Sequence, residues 1–121
     1  MNPNWLPTNI PASLSAAYIV RETARQILKD FSSDKFEFPE NFDSLETEQA
    51  LLLALMPVVS HLLETDKNRL MQIIYRVDLS ESSLGAAISG LDANAASIRI
   101  SALILHREAI KVLSRSHFSR G

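Results

Sequence analysis

His61 and Glu64 are the first pair in this chain that could hold a metal ion. They stand three residues apart in an apolar stretch that reads as helix, so both project from one face. A carboxylate-bridged metal centre in a helical bundle needs a Glu-x-x-His on each of two helices and two further Glu. Here the order is reversed and no second copy occurs, so no metal site is expected. His106 and Glu108 do not complete one, because residues two apart point in different directions on a helix. Glu48 is the more suggestive carboxylate. It falls within the apolar face of the same helix as His61, one turn before Leu51 and Leu52. Burial favours the neutral form of a carboxyl, a perturbation that marks many active sites. The first helical turn offers Glu48 a simpler role, since the helix dipole favours an acid there.

Other chemistries find less. Serines are plentiful, but there is no Gly-x-Ser-x-Gly elbow and no serine–lysine pair at a recognised spacing. Gly85 and Gly90 are too sparse for a phosphate-binding loop and are not followed by Lys-Ser or Lys-Thr. The stretch Leu70–Ser89 has the lengths of a helix-turn-helix. Its second helix, from Glu81 to Ile88, contains no Arg, Lys, Asn or Gln to read bases or neutralise phosphates. Arg107, Lys111 and Arg115, at successive i, i+4 positions, could grip phosphate or an acidic protein, or keep an exposed helix side soluble. No catalytic set and no cofactor-binding motif emerges, and the chain reads as a non-enzyme.

Bulk composition sets the bounds. A chain of 121 residues is one domain on the length prior and large enough to bury a core. Apolar residues make up 46% and charged residues 21%, the balance of an ordinary globular protein. The net charge of −2 is not that of a dedicated nucleic-acid binder. There is no Cys, which excludes disulfides, thiolate nucleophiles and cysteine-ligated metals. No secretory signal stands at the N-terminus. The longest apolar run, Ala50–Val59, is about half the roughly 20 residues a membrane-spanning helix requires, and Pro57 interrupts it. A cytoplasmic protein without a membrane segment is the resulting expectation.

The elements follow from periodicity and punctuation. Pro3, Pro7 and Pro11 forbid a helix and predict an extended arm over residues 1–11, which Trp5 would tether to its own domain or extend to a partner subunit. Long helices are expected over about 12–31, 45–64 and 93–116, and short ones over about 67–77 and 81–89. Asp43 or Ser44 would cap the second helix, Asp66 the third, Asp78 or Ser80 the fourth, and Asp92 or Asn94 the fifth. Pro57 should kink or break its helix. Gly85 suggests a close backbone approach, and Gly90 a left-handed stop. Phe36, Phe38 and Phe42 in the connection should fold back onto the core, and residues 117–121 should form a flexible tail. The whole is an all-α, single-domain bundle of four to five helices. Its expected core draws on Val20, Ile27, Phe31, Leu55, Leu62, Leu70, Ile74, Ile88, Ile98, Leu105 and Val112.

The last helix carries the functional expectation. Ile98, Ala102, Leu105, Ala109, Val112 and Leu113 form one apolar stripe, which is what a core-facing helix needs. Ile100, Leu103, Ile104 and Ile110 lie elsewhere on the same helix, among Arg99, His106, Arg107 and Lys111. Either neighbours surround this helix, or the surplus residues face another subunit, and the interspersed charges favour an interface. The expected function is therefore a small interaction or scaffold module, acting as a homodimer or by docking another protein. The alternative is a regulatory bundle that binds a small molecule between its helices, with Tyr18, Met56, Met71 and Tyr75 as lining.

Overall fold

A computed structural model describes residues 4–31 and 38–120, with side chains through Arg115. Five helices account for most of it: α1 (Ala16–Asp30), α2 (Glu48–Thr65), α3 (Lys67–Val77), α4 (Glu81–Ile88) and α5 (Ala93–Arg120). A single 3-10 turn covers Phe42–Ser44, and the described residues contain no strand. The all-α bundle expected from periodicity is what the chain forms.

Local chemistry sets the helix starts. Ser15, Thr47, Asp66, Ser80 and Asp92 each accept a hydrogen bond from the backbone N–H three residues on, at 2.8–3.1 Å. Each satisfies one of the donors that a helix leaves orphaned at its N-terminus. The caps of α3, α4 and α5 fall where the sequence places them. Two starts are later than expected. Helix α1 begins behind Ser15 rather than near residue 12, and Thr47 rather than Asp43 or Ser44 opens α2. Asp43 and Ser44 are drawn into the 3-10 turn because Phe42 beside them is buried. There Phe42 meets Phe38 in a tilted contact with ring centres 4.7 Å apart, and Phe38 meets Phe31 edge-on at 5.8 Å. Two of the three connection aromatics thus cover the core, while Phe36 and the Ser32–Asp34 stop signal lie outside the described residues.

Pro57 does not break α2, which runs unbroken from Glu48 to Thr65. Leu53 and Pro57 both face solvent, so the carbonyl deprived of its donor can turn to water. Asp78 does not cap α4. It takes a left-handed conformation (φ 70°) that closes α3, with its N–H bonded to the Tyr75 carbonyl and that of Leu79 to Ile74. These two bonds form a Schellman-type stop, and Asp is among the few residues besides Gly that tolerate the conformation. Gly90 (φ 79°) ends α4 as expected.

Gly85 departs from its expected role. A Cβ added there would meet nothing within 4 Å, so no close backbone approach requires the glycine. Gly85→Ala should therefore stabilise the protein by about 0.5–1 kcal/mol through helix propensity, read as a raised urea midpoint at unchanged slope.

Helix α5 is the central element, and α1, α2, α3 and α4 all pack against it. It continues to Arg120, beyond the end expected near residue 116. Nine of the eleven expected core residues are buried, while Ile88 and Ile98 are half-buried. Ser97, Ser101 and Thr23 are buried as well, their hydroxyls donating to carbonyls one turn back within their own helices. Such short, self-satisfied side chains let neighbouring helices approach closely.

Candidate functional site

The N-terminal arm folds against its own chain. Trp5 is buried, its indole N–H donates to the Glu48 carbonyl at 2.8 Å, and the Leu6 N–H donates to the Glu48 carboxylate. From α5, His106 Nδ1 lies 2.8 Å from the Trp5 carbonyl. That carbonyl can only accept, so His106 carries its proton on Nδ1. Glu48, the carboxylate singled out in the sequence, is thus half-buried as the arm's anchor, at the first position of α2.

The remaining candidates are dispersed. His61 and Glu64 both face solvent. Among the described residues no group of three or more His, Cys, Asp or Glu side chains is placed to hold a metal ion. Tyr75 is 84% exposed and Tyr18 lies at the surface, so neither lines the interior between helices, whereas Met56 and Met71 pack half-buried against the core. Of the four residues expected to face another subunit, Ile100 and Ile104 are buried within the chain, because α5 is enclosed on that side. Leu103 is half-buried and Ile110 remains 36% exposed.

The basic row on α5 is used internally. Arg107 pairs with the Asp78 carboxylate at 2.8 Å, Lys111 donates to Asp30 Oδ2 and to the Arg76 carbonyl at 3.1 Å each, and Arg115 donates to Gln26 Oε1. The pairs Asp30–Lys111 and Gln26–Arg115 run in reverse order along the two helices, as antiparallel packing of α1 on α5 requires.

Beneath this row lies the most perturbed group described. Glu108 has 0% of its surface exposed, and its Oε1 lies 2.9 Å from Lys111 Nζ. Read as a carboxylate, it has neither oxygen satisfied by a hydrogen bond of good geometry among the described residues. Read as a carboxylic acid, it has an O–H to donate and Asp30 beside it to accept. Burial pushes the Glu108 pKa up to about 8, helped by the hydrogen bond and charge of Asp30 and opposed by Lys111. Burial also works to raise Asp30, but hydrogen bonds from Glu108, Lys111 and Gln26 outweigh it and hold Asp30 below the ordinary carboxylate range. Lys111 is desolvated too, yet its bonds to Glu108 and Asp30 raise it above the usual lysine value.

Two carboxyls whose environments push them apart resemble an acid–base pair. Glu108 has no surface that a substrate could touch, however, so this packing holds a proton rather than delivering one. The sequence marks Glu108 only as a rejected metal ligand beside His106, although its helical position carries a further signal. It falls in the gap between the Ile100–Ile104 stripe and the Leu105–Val112 stripe, together with Ser97 and Ser101. Once both stripes are covered, whatever lies between them must be covered too.

No protein-family model matches the chain, and no curated protein or solved structure shows detectable similarity to it.

Proposed function

We propose that the protein is an interaction module that self-associates through the open side of α5. Helical periodicity places Arg99, Leu103, His106 and Ile110 together, with Leu113 at the margin, on the side of α5 away from its buried residues. The observation that supports the reading is Ile110, a large apolar side chain left exposed on that side beside the half-buried Leu103. A central helix already covered by four neighbours has no need of apolar residues on its remaining side, where charged ones would serve solubility better. A second copy laid across this side about a two-fold axis would bury Ile110 and Leu103 of both chains. That is the commonest closed assembly, and it requires only one self-complementary patch.

Sedimentation equilibrium tests this directly. The wild-type chain should be a dimer at tens of micromolar, and Ile110→Glu should be a monomer with an unchanged helical signal, since Ile110 is not part of the core. A monomeric wild-type protein, or an Ile110→Glu variant that still dimerises, overturns the reading. Among the described residues no helix is long and apolar enough to cross a membrane.

A further inference from the structure

We propose that Asp30, Glu108 and Lys111 form a proton-linked clamp, which fastens the C-terminal end of α1 to α5 and α3 and slackens when the Glu108 carboxyl loses its proton. Three elements meet there. Helix α1 brings Asp30, with Gln26 donating to its Oδ1 at 3.1 Å. Helix α3 brings Arg76, whose guanidinium donates to the Asp30 carbonyl at 3.3 Å and whose own carbonyl accepts from Lys111. Helix α5 brings Glu108 and Lys111, flanked by Arg115 on Gln26 and by Arg107, which is engaged with Asp78. On α1, Glu22 and Arg25 pair with each other at the surface, and on α2 Glu48 is bonded to the arm, while His61 and Glu64 face solvent.

Charge and geometry then set the protonation state. A single ammonium, Lys111, touches both carboxyls, at 2.9 Å and 3.1 Å. With Glu108 protonated, its O–H bridges to Asp30 and the cluster is neutral. With Glu108 ionised, one cation faces two carboxylates, one of them sealed from water, and both Glu108 oxygens lack donors of good geometry. Repulsion between the two carboxylates would act across the α1–α5 contact, because each helix holds one of them. The consequence is a fold whose α1 end is held at acidic and neutral pH and loosened under mildly alkaline conditions.

The linkage has a definite sign. Below about pH 4.5 the carboxyl is protonated in both the folded and unfolded chain. Between about 4.5 and about 8 the folded chain keeps a proton that the unfolded chain has released, so raising the pH favours unfolding. Above about 8 both states have lost it, and this dependence ends.

Glu108→Gln tests the clamp, since the amide keeps the shape and a donor toward Asp30 but cannot ionise. Urea unfolding from pH 5 to pH 9 should show the wild-type unfolding constant rising by up to about tenfold per pH unit in the linked range. The variant should lack that rise and match the wild type closely near pH 5. At pH 8.5 it should unfold less readily than the wild type by a factor on the order of a hundred or more. Hydrogen exchange at matched pH should show the gain concentrated at the α1 end around Ile27–Asp30. Should the variant fail to fold, carboxyl carbon-13 titration of the wild-type chain decides instead: Glu108 must titrate well above ordinary glutamate. Identical pH profiles for the two proteins, or an ordinary titration of Glu108, would overturn the proposal.

Discussion

Replacing Trp5 with alanine should cost about 3–5 kcal/mol of stability, the range for deleting a fully buried large aromatic. The residue lies on a proline-punctuated arm, where a chain end is ordinarily weakly held. Yet its ring is 1% exposed and belongs to the main hydrophobic cluster. Its indole N–H also satisfies the Glu48 carbonyl, and its own carbonyl holds His106. Truncation therefore opens a cavity and removes the indole hydrogen bond to α2, and the two effects add, whereas the backbone carbonyl that holds His106 is kept. Urea unfolding followed by circular dichroism measures the loss. Trp5 is the sole tryptophan, so in the wild-type protein its fluorescence reports the arm itself. Fluorescence and helical signal should fall together in one transition. An arm that let go at lower urea, or a loss below about 1 kcal/mol, would mean that it merely rests on the surface.

Lys111→Met should be the next most damaging change, at about 2–3 kcal/mol near neutral pH. Breaking a fully buried ion pair costs about 3–5 kcal/mol, and the figure is reduced here because Lys111 retains 24% of its side-chain surface. Methionine matches the volume, so the loss isolates the charge rather than the packing. Without the ammonium, Asp30 keeps Gln26 and the Glu108 proton, and the Arg76 carbonyl loses a donor. The double variant with Glu108→Gln should lose less than the sum of the two single effects would suggest, as expected for groups in one network. Strict additivity would show that Lys111 and Glu108 act separately. Lys111 has its own pH limb, since a raised lysine contributes stability that is fully present below 10.5 and lost as the pH rises through its folded value. Asp30 has the opposite one, present above 3.8 and lost as the pH falls below it.

Much of the fold was legible because it is written locally. Ser80, Asp66 and Asp92 cap helices through contacts three residues away, and Gly90 supplies a left-handed turn by itself. The errors arose where a distant residue intervened. Asp43 and Ser44 have the chemistry of a cap, but burial of Phe42 took them into a different turn. Pro57 has the chemistry of a helix breaker, but its solvent-facing position made the lost hydrogen bond tolerable. The candidate site was harder to see. Glu48 looked buried from its wheel position and became the anchor of an arm forty residues earlier in the chain. Glu108 looked like one polar residue among several and became the most enclosed acid described.

By itself, then, the amino-acid sequence determined the all-α architecture, most helix ends and most of the core. Tertiary structure alone decided which sides of the last helix are covered, that Trp5 docks on its own chain, and which carboxyl is sealed beside Asp30 and Lys111. The physical reason is that helical periodicity tells where a side chain points around its own axis. It does not tell what stands opposite, and burial, ionisation and pairing all depend on what does.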